Sequence, residues 1–289
     1  MQNITFRLAW RNLWRRKRRT WLTVGAMVFS NILLVFMISL QIGMYGMMIN
    51  NTLRAQTGHL QVQAPGYKDD HKMRQVVPDV QGLAAELRTA LGTDEVAARA
   101  SAFALVSSAD RSYGLQITGV EPRYEALVSS LPGLVKEGKF LGDPMAEEIV
   151  IGRVLARNLR VGVGDELTFI GSGRDGSFAA AVVTVAGIFE SGMPDVDRGF
   201  AEVPLAFFQD TFSMGDAGHA VAVMAPGLIQ VGATKNRVEE LLPADEDLVV
   251  HDWDTLLPGL KQAIQADFTS GWFMYGVLII LVAFSVLNT

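Results

Sequence analysis

The longest uncharged segment of the chain covers residues 20–53, which contain no Asp, Glu, Lys or Arg. Its apolar part, residues 22–48, exceeds the roughly 20 residues that a helix needs to cross a hydrocarbon core of about 30 Å. We therefore predict a transmembrane helix over residues 21–48. A secretory signal peptide is the alternative, but its apolar region would have only about 7–15 residues, so an uncleaved anchor is favoured.

Polar side chains inside this span indicate a second helix. Ser30, Asn31, Ser39 and Gln41 are polar, and small residues such as Gly43 accompany them. Polar groups in lipid seek partners on another helix, and small residues allow close approach. We predict that the span associates with another helix.

Residues 1–20 form a basic segment that precedes the span. At 100° per residue, Phe6, Trp10 and Leu13 fall on one side of a helix and Arg7 and Arg11 on the other, as an interfacial helix requires. The positive-inside rule then places the N-terminus in the cytoplasm. A charged flank without a further role is the alternative. The predicted membrane-interface residues are Phe6, Trp10, Leu13, Trp14, Arg15, Arg16, Lys17, Arg18, Arg19 and Trp21.

Two separated β-α-β patterns follow the span. The first has a strand at residues 59–63, a helix at 80–91 and a strand at 96–106. The second repeats that order at residues 219–224, 228–242 and 248–251. Two such units can complete one mixed sheet, so we predict a discontinuous α/β subdomain made of residues 49–106 and 215–267.

A glycine-rich segment with short strands lies between the two patterns. Strands are predicted at residues 115–120, 148–151, 166–170 and 178–189, with a tight turn at 171–176. We predict an inserted β-rich subdomain over residues 107–214. The whole domain between the spans is then residues 49–267.

A second apolar segment ends the sequence. Residues 252–267 have a helical pattern in which Pro258 predicts a kink, and residues 268–289 are uncharged and about as long as a span. We expect residues 268–289 to form a second transmembrane helix that returns to the cytoplasm. The fold class is therefore a membrane protein of α+β type with a large extracytoplasmic domain, and we expect the chain to continue into further spans.

Composition and charge support this arrangement. Hydrophobic residues make up 49% of the 289 residues, which is typical of a few spans joined to a sizeable water-facing domain. Seven basic residues and no acidic ones lie in residues 1–20, which leaves −12 on the rest of a chain whose net charge is −5. Cysteine is absent, so disulfides, thiol catalysis and zinc–thiolate sites are excluded.

Candidate catalytic groups are few. The sequence has no G-x-x-x-x-G-K-[ST] with which to bind ATP and no G-x-S-x-G. The cluster Asp69, Asp70 and His71 is more typical of a solvated loop than of a cation site, and Asp195 and Asp197 are explained by turn formation. From its residues, the chain is not expected to be an enzyme or to hold a metal or cofactor.

The order of these features resembles the FtsX/MacB/LolC-LolE class of ABC transporter permeases. The basic opening Ala9-Trp10-Arg11-Asn12-Leu13 and the final Phe284-Ser285-Val286-Leu287-Asn288-Thr289 are similar to that class. Its periplasmic core is matched in order by Thr57-Gly58-His59-Leu60, Ile117-Thr118-Gly119-Val120, the segment IVIGRVLARNLRVGVGD at residues 149–165, and residues 185–205.

This resemblance implies a function that composition does not. Such permeases have four spans and work by mechanotransmission, in which a cytoplasmic ATPase moves helices that move the periplasmic domains. ATP and Mg would then bind the partner ATPase, with no cofactor in this chain. The partners implied are that ATPase subunit, a second permease copy or paralogue, membrane lipid, a lipoprotein cargo and a periplasmic chaperone, with no nucleic acid.

The branch and the cargo remain open on the sequence. The pattern of residues 187–205 resembles the lipoprotein-releasing branch, and Met44, Met47 and Met48 at the outer end of the first span would suit acyl chains because methionine is adaptable. Ordinary lipid-facing packing explains these methionines as well. The alternatives are a MacB-like efflux permease for antibiotics or peptides, a two-span periplasmic sensor or scaffold, and a membrane-anchored periplasmic enzyme.

Overall fold

A computed structural model describes residues 17–243 and 246–287 of the chain. The predicted interface residues Phe6, Trp10, Leu13, Trp14, Arg15 and Arg16 lie outside the described residues. The chain divides into two compact units: one runs up to Ile49 and resumes at Pro258, and the other is Asn50–Leu257.

The described residues form ten helices and ten strands, besides two short 3-10 turns. The helices are α1 (Lys17–Gln56), α2 (Tyr67–Asp70), α3 (Val80–Leu91), α4 (Pro122–Val128), α5 (Arg153–Leu159), α6 (Pro194–Gly199), α7 (Leu205–Thr211), α8 (Val231–Leu241), α9 (Trp253–Leu256) and α10 (Pro258–Leu287). The strands are β1 (Leu60–Gln63), β2 (Val96–Ser107), β3 (Ser112–Val120), β4 (Val135–Gly138), β5 (Glu148–Gly152), β6 (Glu166–Ser172), β7 (Phe178–Phe189), β8 (Phe200–Pro204), β9 (Ala220–Val223) and β10 (Val249–Asp252).

The first unit contains the long apolar helices. Among the described residues, the stretch Thr20–Arg54 within α1 is long and apolar enough to cross a membrane. The predicted second span falls on α10, but residues 288 and 289 lie outside the described part of the chain. The second span therefore stays a prediction.

The second unit is built on one mixed sheet. The strand order is β10-β1-β9-β2-β3-β8-β5-β7-β4, and β6 pairs with both β2 and β7. Neighbours are antiparallel except for the parallel pairs β3–β8 and β5–β7. The strands of the predicted α/β subdomain lie together on one side of the sheet, and those of the predicted insertion lie on the other. The sheet is continuous between them, and the division into subdomains stays a prediction.

The two faces of this sheet differ in character. Strand alternation places Leu60, Val62, Ala100, Ile117 and Val221 on one face, where they are buried with helices α3 and α7 in the main hydrophobic core. The opposite face carries smaller apolar clusters and several buried polar side chains. The first face supplies most of the hydrophobic core, and the second face carries buried polar and charged side chains.

The predicted helix over residues 252–267 is interrupted. Helix α9 ends at Leu256, Leu257 has φ −125° and ψ 65°, and α10 begins at Pro258. Proline lacks the N–H for a helical hydrogen bond and disfavours helical geometry in the residue before it. The kink predicted at Pro258 is therefore a complete break between two helices.

A glycine of β3 marks a close approach between the sheet and α7. A Cβ added at Gly119 would lie 2.5 Å from the Phe208 Cβ and 3.3 Å from the Leu205 Cα. Those atoms are close to the backbone and cannot swing aside. Phe208 itself is fully buried and stacks on Phe212 with a ring-centroid distance of 4.4 Å.

Replacing Gly119 with Ala is expected to lower the free energy of unfolding by about 1–3 kcal/mol, because overpacking forces the backbone or the ring to shift. Gly114→Ala in the same strand is the matched control, since an added Cβ there meets nothing within 4 Å. Urea unfolding of both variants, followed by circular dichroism, measures the difference. Equal stability of the two variants would show that α7 adjusts freely.

Candidate functional site

The last turn of α1 belongs to the second unit, Asn50–Leu257, and is held within it by several contacts. Leu53 is fully buried, and its carbonyl accepts a hydrogen bond from the Gly58 N–H at 2.8 Å. The Arg54 guanidinium pairs with Glu95 at 3.4 Å and donates to the Leu127 carbonyl at 3.2 Å. The Ser130 N–H donates to the Arg54 carbonyl at 2.8 Å. One helix thus includes both the candidate span and a turn held by contacts to three segments of the domain.

Polar side chains join α1 to α10 within the first unit. The Gln41 amide donates to the Tyr45 hydroxyl and its carbonyl accepts from the Tyr275 hydroxyl, both at 2.7 Å. The Tyr45 hydroxyl also bonds the Asp267 carboxylate. These contacts agree with the prediction that polar residues of the first span associate with another helix, whereas the Asn31 amide donates to Met27 of its own helix.

The proposed cargo residues and the described interface residues are exposed. Met44, Met47 and Met48 are 56%, 63% and 41% exposed, and Trp21 is 67% exposed. Lys17 and Arg18 are also exposed at the start of α1. Exposure is compatible with contact to lipid or to an acyl chain.

A row of polar side chains crosses the second face of the sheet. Cross-strand pairing sets Gln63 opposite Ala220, Ala220 opposite Arg99, Ser101 opposite Thr118 and Thr118 opposite Glu202. The hydroxyls of Ser101 and Thr118 lie 3.1 Å apart. We call Gln63, Arg99, Ser101, Thr118 and Glu202 the polar row.

Arg99 and Glu125 form a buried two-pronged ion pair at the centre of the polar row. The Arg99 Nε and Nη2 atoms donate to the two Glu125 carboxylate oxygens at 3.0 Å and 2.6 Å. Glu125 is brought there by α4, which packs against β2. Its side chain is 1% exposed and that of Arg99 is 8% exposed. Both charges are therefore removed from water and depend on each other.

Glu202 adds a second carboxylate to this buried site. It is 2% exposed, and its Oε2 atom has no hydrogen-bond partner. Burial, together with the nearby Glu125 carboxylate, raises the pKa of Glu202 well above its ordinary value, while the Arg99 guanidinium acts in the opposite direction. The Arg99 guanidinium thus supplies positive charge near two carboxyl groups, those of Glu125 and Glu202.

His219 lies beside the polar row as a neutral imidazole. Its Nδ1 atom accepts from the Ser101 N–H at 2.9 Å, and its Nε2 atom lies 3.4 Å from the Met73 carbonyl. An Nε2–H tautomer satisfies both contacts. Burial lowers the pKa of His219 to about 4, and the ring stacks on Tyr67 at 4.8 Å.

These groups line a cavity of about 280 Å³. Gln63, Arg99, Thr118, Glu202 and His219 supply its polar wall, and Phe200, Leu256 and Leu257 supply apolar surface. The half-buried Lys68 and the exposed His71 also line it, so the cavity reaches the protein surface.

The aspartates noted in the sequence do not line this cavity, although the neighbouring His71 does, and each of them has a partner. Asp69 pairs with Lys68 at 2.9 Å and Asp70 with Lys72 at 2.5 Å, as expected for a solvated loop. Asp195 pairs with Arg198. Asp197 is buried and accepts from the Ser191 N–H at 2.8 Å, which fixes its own turn. Over residues 17–243 and 246–287, no three His, Asp or Glu side chains are placed to hold a metal ion.

Sequence reasoning missed the polar row. A signal existed at Arg99, because a charged residue between Ala98 and Ala100 in a predicted buried strand requires a partner. The identity of that partner was not visible, since Glu125 and Glu202 come from elements 26 and about 100 positions further along the chain.

Comparison with known proteins identifies the family. A family model described as the MacB-like periplasmic core domain matches residues 20–241. The chain belongs to this family. As a MacB-like protein it is a permease of the FtsX/MacB class of ABC transporters, and that class implies a cytoplasmic ATPase partner.

Solved structures of similar domains accompany the family match. The extracellular domain of the ABC-type transporter YknZ from Gram-positive bacteria is 17% identical, with a TM-score of 0.48, covering 67% of this chain and 99% of that domain. The periplasmic region of MacB from Actinobacillus actinomycetemcomitans is 14% identical, with a TM-score of 0.49, covering 75% and 98%. No curated protein sequence matches the chain. The assignment to the MacB-like family rests on the family model.

Proposed function

We propose that this chain is the permease subunit of an inner-membrane transporter that extracts lipoproteins by mechanotransmission. In this proposal the N-terminus is cytoplasmic, Asn50–Leu257 is periplasmic and α10 returns through the membrane. A partner ATPase binds ATP and Mg, and this subunit is not itself catalytic. A second permease copy or paralogue completes the transporter, and a periplasmic chaperone receives the cargo.

The observation that carries the proposal is the anchorage of α1. Leu53 and Arg54, in the last turn of the helix that contains the candidate span, are held by the domain through burial, an ion pair and backbone hydrogen bonds. A continuous helix is stiff along its axis, so a change in its tilt would be passed to the domain rather than absorbed at a joint.

The junction that precedes α10 supports different roles for α1 and α10. The break at Leu257 and Pro258 lacks continuous helical hydrogen bonding, and such a junction absorbs a change of angle at two or three backbone dihedrals. In the proposal, α1 transmits the motion and the break before α10 allows it.

The lipoprotein cargo is proposed from the exposed methionines of α1. Met44, Met47 and Met48 are exposed at the end of α1 that precedes the anchored turn. Their flexible thioether chains can follow the irregular surface of an acyl chain. A lipoprotein held in the outer leaflet would present such chains at this depth. Efflux of an antibiotic or peptide remains the alternative cargo.

Insertion of four glycines between Asn50 and Asn51 is expected to abolish most lipoprotein release while ATP hydrolysis continues. Glycine breaks helical stiffness, and the insertion lies between the predicted span, residues 21–48, and the anchored Leu53 and Arg54. The measurement is lipoprotein released to chaperone per ATP hydrolysed, in proteoliposomes with the partner ATPase.

Insertion of four alanines at the same point is the matched control, because alanine keeps the helix intact. It adds the same length and is expected to retain more of the coupling. Full release by the glycine variant would refute the transmission of motion through α1. If the unmodified protein transported an antibiotic instead of a lipoprotein, transmission through α1 would stand, and the efflux alternative would replace the proposed cargo.

A further inference from the structure

An exposed apolar surface lies on the outward side of strands β2, β6 and β7. Phe103 and Phe178 are 71% and 75% exposed, and Leu105, Ile170 and Val182 are exposed as well. Strand alternation directs these five side chains away from the hydrophobic core, which receives most of the residues between them. We call Phe103, Leu105, Ile170, Phe178 and Val182 the apolar patch.

Strand pairing makes the apolar patch continuous. Leu105 of β2 lies opposite Ile170 of β6, and Ile170 lies opposite Ala180 of β7. Ala180 lies between Phe178 and Val182 on the same face of β7, and the other phenylalanine lies two positions before Leu105 on the same face of β2. Adjacent strands are about 5 Å apart, so these side chains form one surface.

The strands that carry the apolar patch are uncharged over its whole extent. Residues 103–107, 168–172 and 178–182 contain no Asp, Glu, Lys, Arg or His, although the chain beyond residue 20 has a net charge of −12. Charged residues stand at the ends of the patch, with Glu166 at the start of β6 and Asp175 in the turn between β6 and β7. An uncharged centre with a charged rim is typical of a protein–protein interface.

The size of the apolar patch sets the strength of the contact that it can make. Three strands about 5 Å apart, each contributing five residues at about 3.4 Å per residue, cover roughly 250 Å². Soluble monomers rarely expose a continuous apolar patch of more than a few hundred Å². A stable interface buries about 800 Å² on each partner. The patch is therefore too small to hold two free proteins together, but it suits partners that are already kept close by other contacts.

We propose, resting on the proposed function in which a second permease copy completes the transporter, that the apolar patch binds the same patch on that second copy. A contact of patch with patch is self-complementary, as a two-fold interface requires, because apolar side chains meet apolar side chains. It joins two acidic domains through their uncharged surfaces and leaves their like charges at the rim. The patch itself offers no charge with which to select a basic or an acidic partner.

The test is cross-linking of the full chain in proteoliposomes that also contain the partner ATPase. The chain has no cysteine, so Ala180→Cys places a single thiol in the apolar patch, and a short bis-maleimide joins two such thiols where two copies meet. A covalent dimer is expected, and dilution of the protein in lipid should leave its yield unchanged, because only random collisions become rarer on dilution. Ala85→Cys, at an exposed alanine of α3, is the matched control and should give little dimer.

Phe103→Ser combined with Phe178→Ser tests the apolar contact itself. Both rings are mostly exposed, so the double variant should fold. In the Ala180→Cys background it is expected to lower the yield of dimer about tenfold, because apolar burial is lost on both copies.

Lipoprotein release is measured in the same vesicles, so that failure of the interface is distinguished from failure of the proposed function. Release without an Ala180→Cys dimer would overturn the interface and leave the proposed function standing, whereas a dimer without release would support the interface and refute the cargo. Equal yields for Ala180→Cys and Ala85→Cys, or a yield that survives loss of both phenylalanines, would also overturn the interface. Protection of the Ala180→Cys thiol only when chaperone is added would assign the patch to the chaperone instead.

Discussion

Replacing Arg99 with Met is expected to lower the free energy of unfolding by about 3–5 kcal/mol, because it leaves a buried carboxylate without its partner. Arg99 makes two short bonds to Glu125, and Glu202 lies near the same guanidinium. Methionine fills much of the volume but supplies no charge. Urea unfolding of the chain in detergent, followed by circular dichroism, measures the loss.

Arg153→Met is the matched control for this experiment. Arg153 pairs with Glu190 at 2.6 Å, but both side chains are more than 40% exposed. Exposed ion pairs contribute about 0–1 kcal/mol, so little change is expected. In the double variant Arg99→Met/Glu125→Leu the unpaired Glu125 charge is gone, and part of the lost stability should return. Equal losses for Arg99→Met and Arg153→Met would contradict the role assigned to the polar row.

The elements that were predicted well from the sequence are those in which apolar residues recur at a regular spacing. The helix predicted at residues 80–91 is α3, and the strand predicted at 96–106 is β2, extended by one residue. Both have an uninterrupted apolar repeat along one face. Strands β4 and β8 were missed for different reasons. Strand β4 is mostly exposed and contains Lys136 and Glu137, so it lacks an apolar pattern, whereas β8 is buried by pairing with β3 and β5, which are distant in sequence.

The polar row could not be assembled from the sequence for a different reason. Its members pair across strands, as Thr118 does with Glu202, and such register depends on the order of strands in the sheet. Glu202 lies in a segment for which no strand was predicted, and Glu125 lies on a helix of seven residues. The order of the strands, and therefore the pairing of these charged residues, cannot be deduced from a single sequence.

The polar row and the anchored helix end share the same part of the sheet. Arg54 contacts Glu95, which directly precedes β2, and bonds Leu127 and Ser130 around the end of α4. Arg99 on β2 and Glu125 on α4 form the buried ion pair. The helix end is therefore fixed to the two elements that the ion pair holds together. Loss of the ion pair should loosen the attachment through which motion of α1 would reach the domain.

Stability of the periplasmic domain is expected to fall by about 3 kcal/mol through His219 as the pH decreases from 6.5 to 4. The pKa of His219 is about 4 in the folded protein, against an ordinary value of 6.5. Above pH 6.5 the imidazole is neutral in both states, so its contribution is fully present. Below pH 6.5 the unfolded chain takes up the proton first, and the contribution is lost as the pH approaches 4.

The physical cause is the burial of the His219 ring, together with its contact to Ser101. Burial disfavours its charged form most, and a proton on Nδ1 would face the Ser101 N–H, which already points at that atom from 2.9 Å. Arg174 and His71 add further repulsion. Glu202 acts with the opposite sign, because its raised pKa restores stability as the pH falls. The His219 effect must therefore be measured as a difference between variants.

His219→Asn isolates this effect, because the asparagine oxygen can accept from the Ser101 N–H and does not titrate. The difference in unfolding free energy between wild type and His219→Asn should shift by about 3 kcal/mol in favour of the variant between pH 6.5 and 4. Parallel stability curves for the wild type and His219→Asn would mean that the His219 pKa is not lowered by folding, and that the Ser101 contact tolerates a charged ring.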